Sequence, residues 1–206
     1  MFIKILMAIV AGYFLGSIPT AYLVCKKKTG EDIRTLGSGN VGGTNTLRVL
    51  GKGPGFVVIG VDVLKGLIAA LIGLQLAGTW GGLLAGIFVV LGHVFSVWLN
   101  FSGGKGAACT LGVMIILMPM MSLIIFVFWG IVLLATGYVS LATMLAALSA
   151  IITSVLLNYP AAYSWVILIL AIVIFIMHRP NIQRLRTGRE HRVDIFNLKH
   201  KKNDKT

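Results

Sequence analysis

From Ala107 to Met177 the chain has no Asp, Glu, Lys or Arg at all. A soluble domain does not leave so long a stretch uncharged, and the composition agrees. The 206 residues are 57% hydrophobic and 12% charged, with a mean hydropathy of +0.94, which is more apolar surface than a soluble fold of this length buries. Strict alternation of apolar and polar residues is also missing. That excludes a membrane β-barrel and leaves helices, the other way to satisfy every backbone group in hydrocarbon. Cysteine is scarce too: Cys25 and Cys109 stand at the ends of distant apolar runs, which excludes a disulfide framework, and both read as reduced packing residues. The N-terminal run after Lys4 lacks a small-residue cleavage site, since Tyr22 and Val24 are too large for one. It reads as a retained span rather than a signal peptide or a lipid-attachment segment. The expectation is an all-α, polytopic membrane protein with a single domain over residues 1–206 and a short basic tail from about residue 179.

A hydrocarbon core needs roughly 20 residues of helix. Residues 2–25, 54–77, 79–99, 138–157 and 161–178 each suit one crossing. The segment 107–136 is too long for one ordinary span and holds Pro119 near its middle. Charge decides how it crosses. Lys26, Lys27, Lys28, Arg34, Arg48 and Lys52 fall in the first long connection, Lys105 in the second, and a run of Lys and Arg follows His178, whereas the connections near Gly78 and Asn158 are uncharged. If the basic regions share the cytoplasmic face, 107–136 must cross twice, in two thin spans on the order of 14 to 17 residues each. The expected topology is seven transmembrane helices, N-terminus outside and C-terminus cytoplasmic. The net charge of +12 serves that topology and attraction to anionic headgroups; Arg184, Arg186, Arg189, Arg192 and the lysines beyond 198 are mostly of this kind.

Three polar stretches interrupt the apolar sequence. In "TLGSGNVGGTNTLRVLGKGPG", Gly37, Gly39, Gly42 and Gly43 allow N–H groups to converge on an anion. Ser38, Asn40, Thr44 and Asn45 add neutral donors, and Arg48 adds a planar cationic fork suited to phosphate. A capped flexible loop is the plain alternative. In "GHVFSVWLNFSGGKGAACTLG", Gly103, Gly104 and Gly106 flank Lys105 where a helix begins, a place that favours anions. Nucleotide-type P-loop spacing fails there, because Leu99 and Gly106 occupy the positions of its first glycine and its hydroxyl residue. His93 reads as a packing histidine, since no Cys/His/carboxylate cluster accompanies it in the sequence. In "MHRPNIQRLRTGRE", Pro180 argues against one continuous helix past the membrane. Asp62 and Lys65 share a helix face on the order of 12 Å from Pro54 and read as a structural ion pair; a transporter would use such a pair as a relay.

Taken together, "GSGNVGGTN", "GHVFSVWLNFSGGKGAAC" and "HRPNIQRLRTGRE" closely resemble the three motifs of the bacterial acyl-phosphate-dependent glycerol-3-phosphate acyltransferases, and "DVLKG" and "GYVSLAT" extend the likeness over nearly the whole chain. The resemblance implies a seven-span enzyme of the cytoplasmic (inner) membrane, with its active site facing the cytoplasm. It would move a fatty acyl group from acyl phosphate to the 1-hydroxyl of glycerol 3-phosphate, giving lysophosphatidic acid and phosphate. It further implies that Ser38, Arg48 and Lys105 act in catalysis, and that Gly37, Gly39, Asn40, Thr44, Asn45, Gly103, Gly104, Gly106, Ser140, His178, Asn181 and Glu190 bind the substrates. No cofactor, metal or nucleic acid is expected, the partners are the two substrates and membrane lipid, and a monomer is expected. Departures from the family pattern are Gly43 for alanine, Cys109 for threonine, Met177 for arginine and Pro180 for an acidic residue.

The mechanism is constrained by another absence. None of the histidines is followed five residues later by Asp, so the His-x4-Asp base of many acyltransferases is missing. Acyl phosphate is already activated, which favours direct attack by the glycerol hydroxyl without an acyl-enzyme, the donor phosphate taking the proton. A membrane transporter for an anionic lipid or phosphate compound is the alternative, although the polar motifs gather at one face and no internal repeat is visible. An assembly or scaffold protein of the cytoplasmic membrane is a third reading.

Overall fold

Long apolar runs have no backbone partners but their own, and they form helices here. The computed structural model describes residues 1–193; the lysines beyond 198 lie outside the described residues. Within that range the elements are α1 (Phe2–Ser17), α2 (Thr20–Thr29), α3 (Gly43–Leu50), α4 (Lys52–Val94), α5 (Ala107–Leu117), α6 (Pro119–Thr136), α7 (Val139–Leu156), α8 (Ala161–Met177) and α9 (Arg179–Arg186), with short 3₁₀ turns at Ile33–Thr35 and Val97–Leu99. No strand occurs among the described residues. The runs Phe2–Thr29, Lys52–Leu99, Pro119–Thr136 and Val139–Leu156 are long and apolar enough to cross a membrane, and α8 with α9 makes a fifth, bent candidate.

Local chemistry explains where helices stop. The expected single run 2–25 is instead broken between α1 and α2, because Pro19 lacks an N–H and forces Ile18 out of the helical region, to ψ 114°. Within α4, Gly78 adopts φ 60°, ψ −152°, a region open essentially to glycine alone, and the chain reverses there. The first limb (52–77) and the returning limb (78–94) then meet so closely that a Cβ on Gly73 or Gly81 would lie 2.3 or 2.1 Å from the other's carbonyl oxygen. The segment 107–136 divides as expected at Pro119, but unequally, into 11 and 18 residues rather than two similar halves. Met118 leaves the helix immediately before the proline, which sits in the first turn of α6. Pro180 likewise sits in the first turn of α9, which follows the junction at His178 and bends 56° away from α8.

Close backbone approach holds the bundle together. Gly66 of the first limb lies against the Cys109 carbonyl and Gly112 of α5 against the Val63 carbonyl, while Gly12 and Gly16 of α1 rest on the carbonyls of Ala85 and Val89. Small residues at helix crossings replace the hydrophobic drive that lipid does not supply. Around these crossings Leu83, Val89, Val90, Val113, Met118, Met121 and Leu170 form the core.

The α1/α2 break is braced from across the bundle. Lys65 Nζ donates to the Ile18 carbonyl at 2.5 Å and to Asp62 Oδ1 at 2.8 Å, and Thr20 Oγ1 donates to the same carboxylate at 3.2 Å. The intramembrane pair expected to be structural thus satisfies polar groups that Pro19 exposes, with both residues no more than 3% accessible.

Candidate functional site

Loop 30–42, the turn before α5 and the α8–α9 junction meet at one end of the bundle. The loop is shaped from within by Asn45. Its Oδ1 accepts from the Ser38 N–H at 2.8 Å, and its Nδ2 donates to the Leu36 and Asn40 carbonyls at 2.9 and 3.1 Å. Asn45 is 1% accessible, and besides these backbone partners its Oδ1 accepts from the Arg48 guanidinium at 3.4 Å. Expected to hold substrate, it borders the cavity described below and also fixes the loop that presents Ser38, Asn40 and Thr44. Gly37 is packed against it, where a Cβ would stand 2.3 Å from Asn45 Oδ1. Gly43 is pressed on Ile59, where a Cβ would stand 2.1 Å from Cγ1.

The glycines before Lys105 also serve differently from expectation. Gly103 and Gly104 donate their N–H groups to the Val94 and His93 carbonyls at the end of α4, at 2.9 and 3.0 Å. Those donors are therefore not free for an anion. Their lack of a side chain is what matters: a Cβ on Gly103 would lie 2.0 Å from the His93 carbonyl, and one on Gly104 2.2 Å from His93 Nε2. The available donors lie one step later, in the first turn of α5 after its N-cap Gly106, where the helix dipole also favours an anion.

Lys105 points to the third stretch. Its ammonium donates to Asn181 Oδ1, and Asn181 Nδ2 donates to Glu190 Oε1 at 2.6 Å. The same carboxylate accepts from Ser140 Oγ at 2.8 Å and from Arg184 Nε at 2.8 Å. Arg184, which the sequence suggested was a membrane anchor, is thus a site residue; only the fold back of residue 190 onto α9 reveals it. Glu190 is held in turn because Val193 N–H donates to the Gly137 carbonyl at 2.8 Å and the Arg192 guanidinium lies 4.9 Å from the Tyr138 ring centre. His178 Nδ1 is 2.8 Å from the Ile174 carbonyl, so this nitrogen carries the proton and Nε2 keeps its lone pair.

Electrostatics follow the burial. Lys105 is pushed down to about 8, by burial first and then by Arg184 and Arg48, with Glu190 opposing. Burial and the neighbouring Lys105 lower His178 to about 4, so it is neutral at ordinary pH. Burial alone would raise Glu190, but hydrogen bonds from Asn181, Arg184 and Ser140 outweigh it and keep the carboxyl below its usual value. Arg48, Lys105 and Arg184 against Glu190 leave a surplus of positive charge.

These groups border a cavity of about 1280 Å³. Ser38, Asn40, Thr44, Asn45, Arg48, Lys105, Gly106, Ser140, His178, Asn181, Arg184 and Glu190 all line it; Gly37, Gly39, Gly103 and Gly104 do not. Beyond the polar end its walls are apolar, from Met114, Ile125, Trp129, Ala146, Ala150 and Leu170. A compact anion-binding end continuous with a long apolar channel suits a molecule with a charged head and a hydrocarbon chain.

Comparison with known proteins points the same way. The family model described as glycerol-3-phosphate acyltransferase matches residues 6–188. The glycerol-3-phosphate acyltransferase 2 of Moorella thermoacetica is 42% identical over 91% of this chain and 97% of its own. The glycerol-3-phosphate acyltransferase of Aquifex aeolicus is 41% identical over 92% of this chain and 99% of its own. Among solved structures, the glycerol 3-phosphate form of PlsY, an integral membrane glycerol 3-phosphate acyltransferase, superimposes with a TM-score of 0.88 at 41% identity, covering 92% of this chain and 95% of that one. Its lysophosphatidic acid form gives 0.85 at 38% identity, covering 94% and 97%. With the first two motif regions and the third as far as Gly188 inside the matched span, the chain belongs to the glycerol-3-phosphate acyltransferase family.

Proposed function

We propose that this chain transfers a fatty acyl group from acyl phosphate to the 1-hydroxyl of glycerol 3-phosphate, releasing lysophosphatidic acid and inorganic phosphate. The observation that carries the reading is the single cavity in which three cationic side chains crowd one end and apolar walls form the other. Two phosphate-bearing substrates and one acyl chain account for both halves.

In this mechanism Lys105 and the first-turn N–H groups of α5 hold the donor phosphate and the developing oxyanion. Arg48, Ser38, Asn40 and Thr44 hold phosphate from the opposite wall, within a loop shaped by Gly37, Gly39 and Asn45. Gly103 and Gly104 set the turn that aims Lys105. Ser140, Asn181 and Glu190 orient the Lys105 side and the glycerol 3-phosphate. His178 accepts a hydrogen bond from the attacking hydroxyl through Nε2; with a pKa near 4 it aligns that hydroxyl rather than keeping its proton. The hydroxyl oxygen bonds to the acyl carbon, the carbon–oxygen bond to phosphate breaks, and the departing phosphate carries away the proton. The electrophile is an anhydride, so neither a covalent acyl-enzyme nor a cofactor is required.

The same reading makes the chain one domain of seven spans. α1 with α2 is the first, the two limbs of α4 the second and third, α5 and α6 the fourth and fifth, and α7 and α8 the last two. The N-terminus is outside, and the site faces the cytoplasm of a bacterial inner membrane beside the basic loops. The 11 residues of α5 are short for a crossing, which calls for thinned bilayer or burial against neighbours. The protein acts as a monomer, because the cavity is built from one chain.

Phosphate release by the purified protein, given each substrate singly and together, tests the reaction. Release only with both is expected; movement of either substrate across a liposome without turnover would replace the enzyme with a transporter. A covalent acyl-enzyme trapped by rapid quench would overturn direct attack.

A further inference from the structure

Three side chains that this reaction leaves unused converge inside the bundle, one from each of three helical segments: Asp62 from the first limb of α4, His93 from the returning limb and Cys109 from the first turn of α5. Their candidate ligand atoms all lie within 4.8 Å of one another, with His93 Nδ1 3.8 Å from Asp62 Oδ1. Sequence reading set His93 aside for want of such company; the fold supplies it.

Two features show capacity for a ligand. Lys65 and Thr20 both donate to Asp62 Oδ1, and among the described residues no hydrogen bond reaches Oδ2. Beside the trio is a small pocket of about 10 Å³ lined by Ser17, Thr20, Asp62, His93 and Ser96, roughly the space of one water molecule. Ser17, fully buried, has a hydroxyl with no partner among the described residues.

We propose that Asp62 Oδ2, His93 and Cys109 bind a borderline-soft divalent cation of the Zn²⁺ class, with a water in the Ser17 pocket as fourth ligand. Ligand atoms of a tetrahedral zinc site stand roughly 3.3–3.8 Å apart, so the three side chains, whose ligand atoms now lie within 4.8 Å, must draw closer to close on the ion. A thiol among the donors disfavours Mg²⁺ and Ca²⁺. Lys65 keeps Oδ1, so the brace at the α1/α2 break survives, while its ammonium opposes the cation and makes the site weaker than a structural zinc centre. Binding converts the Cys109 thiol to thiolate and releases one proton per metal. Entry is from the large cavity, which Asp62 and His93 border. Because Gly104 is packed on the His93 ring and bonded to its carbonyl, drawing His93 towards Asp62 pulls on the turn carrying Lys105. An occupied site therefore slows acyl transfer; that clause rests on the proposed function, while the binding itself does not.

The test uses the full-length, tag-free protein in detergent, titrated with Co²⁺. One equivalent should give tetrahedral d–d bands and thiolate-to-cobalt charge transfer, displaced by Zn²⁺. Cys109→Ala should lose the charge-transfer band with its helical circular dichroism intact, and Cys25→Ala should keep it. No charge-transfer band in folded wild type, or its persistence in Cys109→Ala, would overturn the site. Phosphate release should fall several-fold with one equivalent of Zn²⁺ in wild type and stay level in Cys109→Ala; a full rate with the site loaded would refute the coupling to Lys105. Protein without any turnover still answers the binding question by its spectrum.

Discussion

Two clusters of charge in this protein look alike on paper and behave differently. At the cavity mouth, Lys105, Arg48 and Arg184 face the single carboxylate of Glu190; in the bundle interior, Lys65 faces Asp62 alone. The interior pair is charge-neutral and geometrically closed on Oδ1, because Lys65 is also bound to the Ile18 carbonyl and Thr20 to the carboxylate. The mouth is cationic overall, partly open, and its lysine is desolvated before any substrate arrives. A neutral, closed pair holds a fold; a cationic, half-solvated one has affinity left for an anion.

The sharpest way to break that contrast is to remove one partner from each cluster. Asp62→Ala leaves Lys65 buried and uncompensated, so a loss of about 3–5 kcal/mol is expected, read as a large fall in thermal midpoint in detergent. Lys105→Ala removes a desolvated charge and should not lower that midpoint, but should cut phosphate release by on the order of 10²–10³-fold in kcat. Reversal of those two outcomes would mean the clusters have been assigned the wrong way round. Gly104→Ala drives a methyl into His93 Nε2 and the Val41 carbonyl, and a stability cost of about 1–3 kcal/mol is expected, with activity falling further than Ser102→Ala, whose hydroxyl makes a single exposed contact.

Acidity sharpens the comparison more gently. Lys105 is cationic below about pH 8, so turnover should decline as pH rises through that value, less than tenfold per unit, while His178 stays neutral well above 4. Stability should move the opposite way. The folded lysine binds its proton less tightly than the unfolded one, whose ordinary value is 10.5, so between about 8 and 10.5 the unfolded chain holds more protons and folding becomes more favourable as pH rises. Parallel pH curves for rate and thermal midpoint would rule out Lys105 as the group responsible. Ser140→Ala removes one of three hydrogen bonds to Glu190 and should give the smallest effect, about 1 kcal/mol, visible in KM for glycerol 3-phosphate before kcat.

Much of the architecture was legible because its causes are local. Continuous apolar sequence specifies helix; Gly78 and Pro119 end helices through the φ/ψ of their own or the preceding residue, and Pro180 lacks the N–H that would carry α8 onward past His178. Pro19 carried the same signal within 2–25, yet apolar length alone made that run look continuous. The residue types for phosphate binding were equally readable, since Gly, Ser, Asn, Lys and Arg in dense stretches serve few other purposes in such an apolar chain.

What the sequence by itself determined is therefore the helical membrane class, most of the breaks, and the three stretches from which the site is drawn. Only the tertiary structure decided which donors remain free: Gly103 and Gly104 are consumed by the end of α4, Asn45 is consumed by its own loop, and Arg184 is drawn in by Glu190. It also brought Asp62, His93 and Cys109 within 4.8 Å. The physical reason is the same in each case. A backbone dihedral is set by neighbours in sequence, whereas the use of a hydrogen-bonding group depends on partners that only packing can deliver.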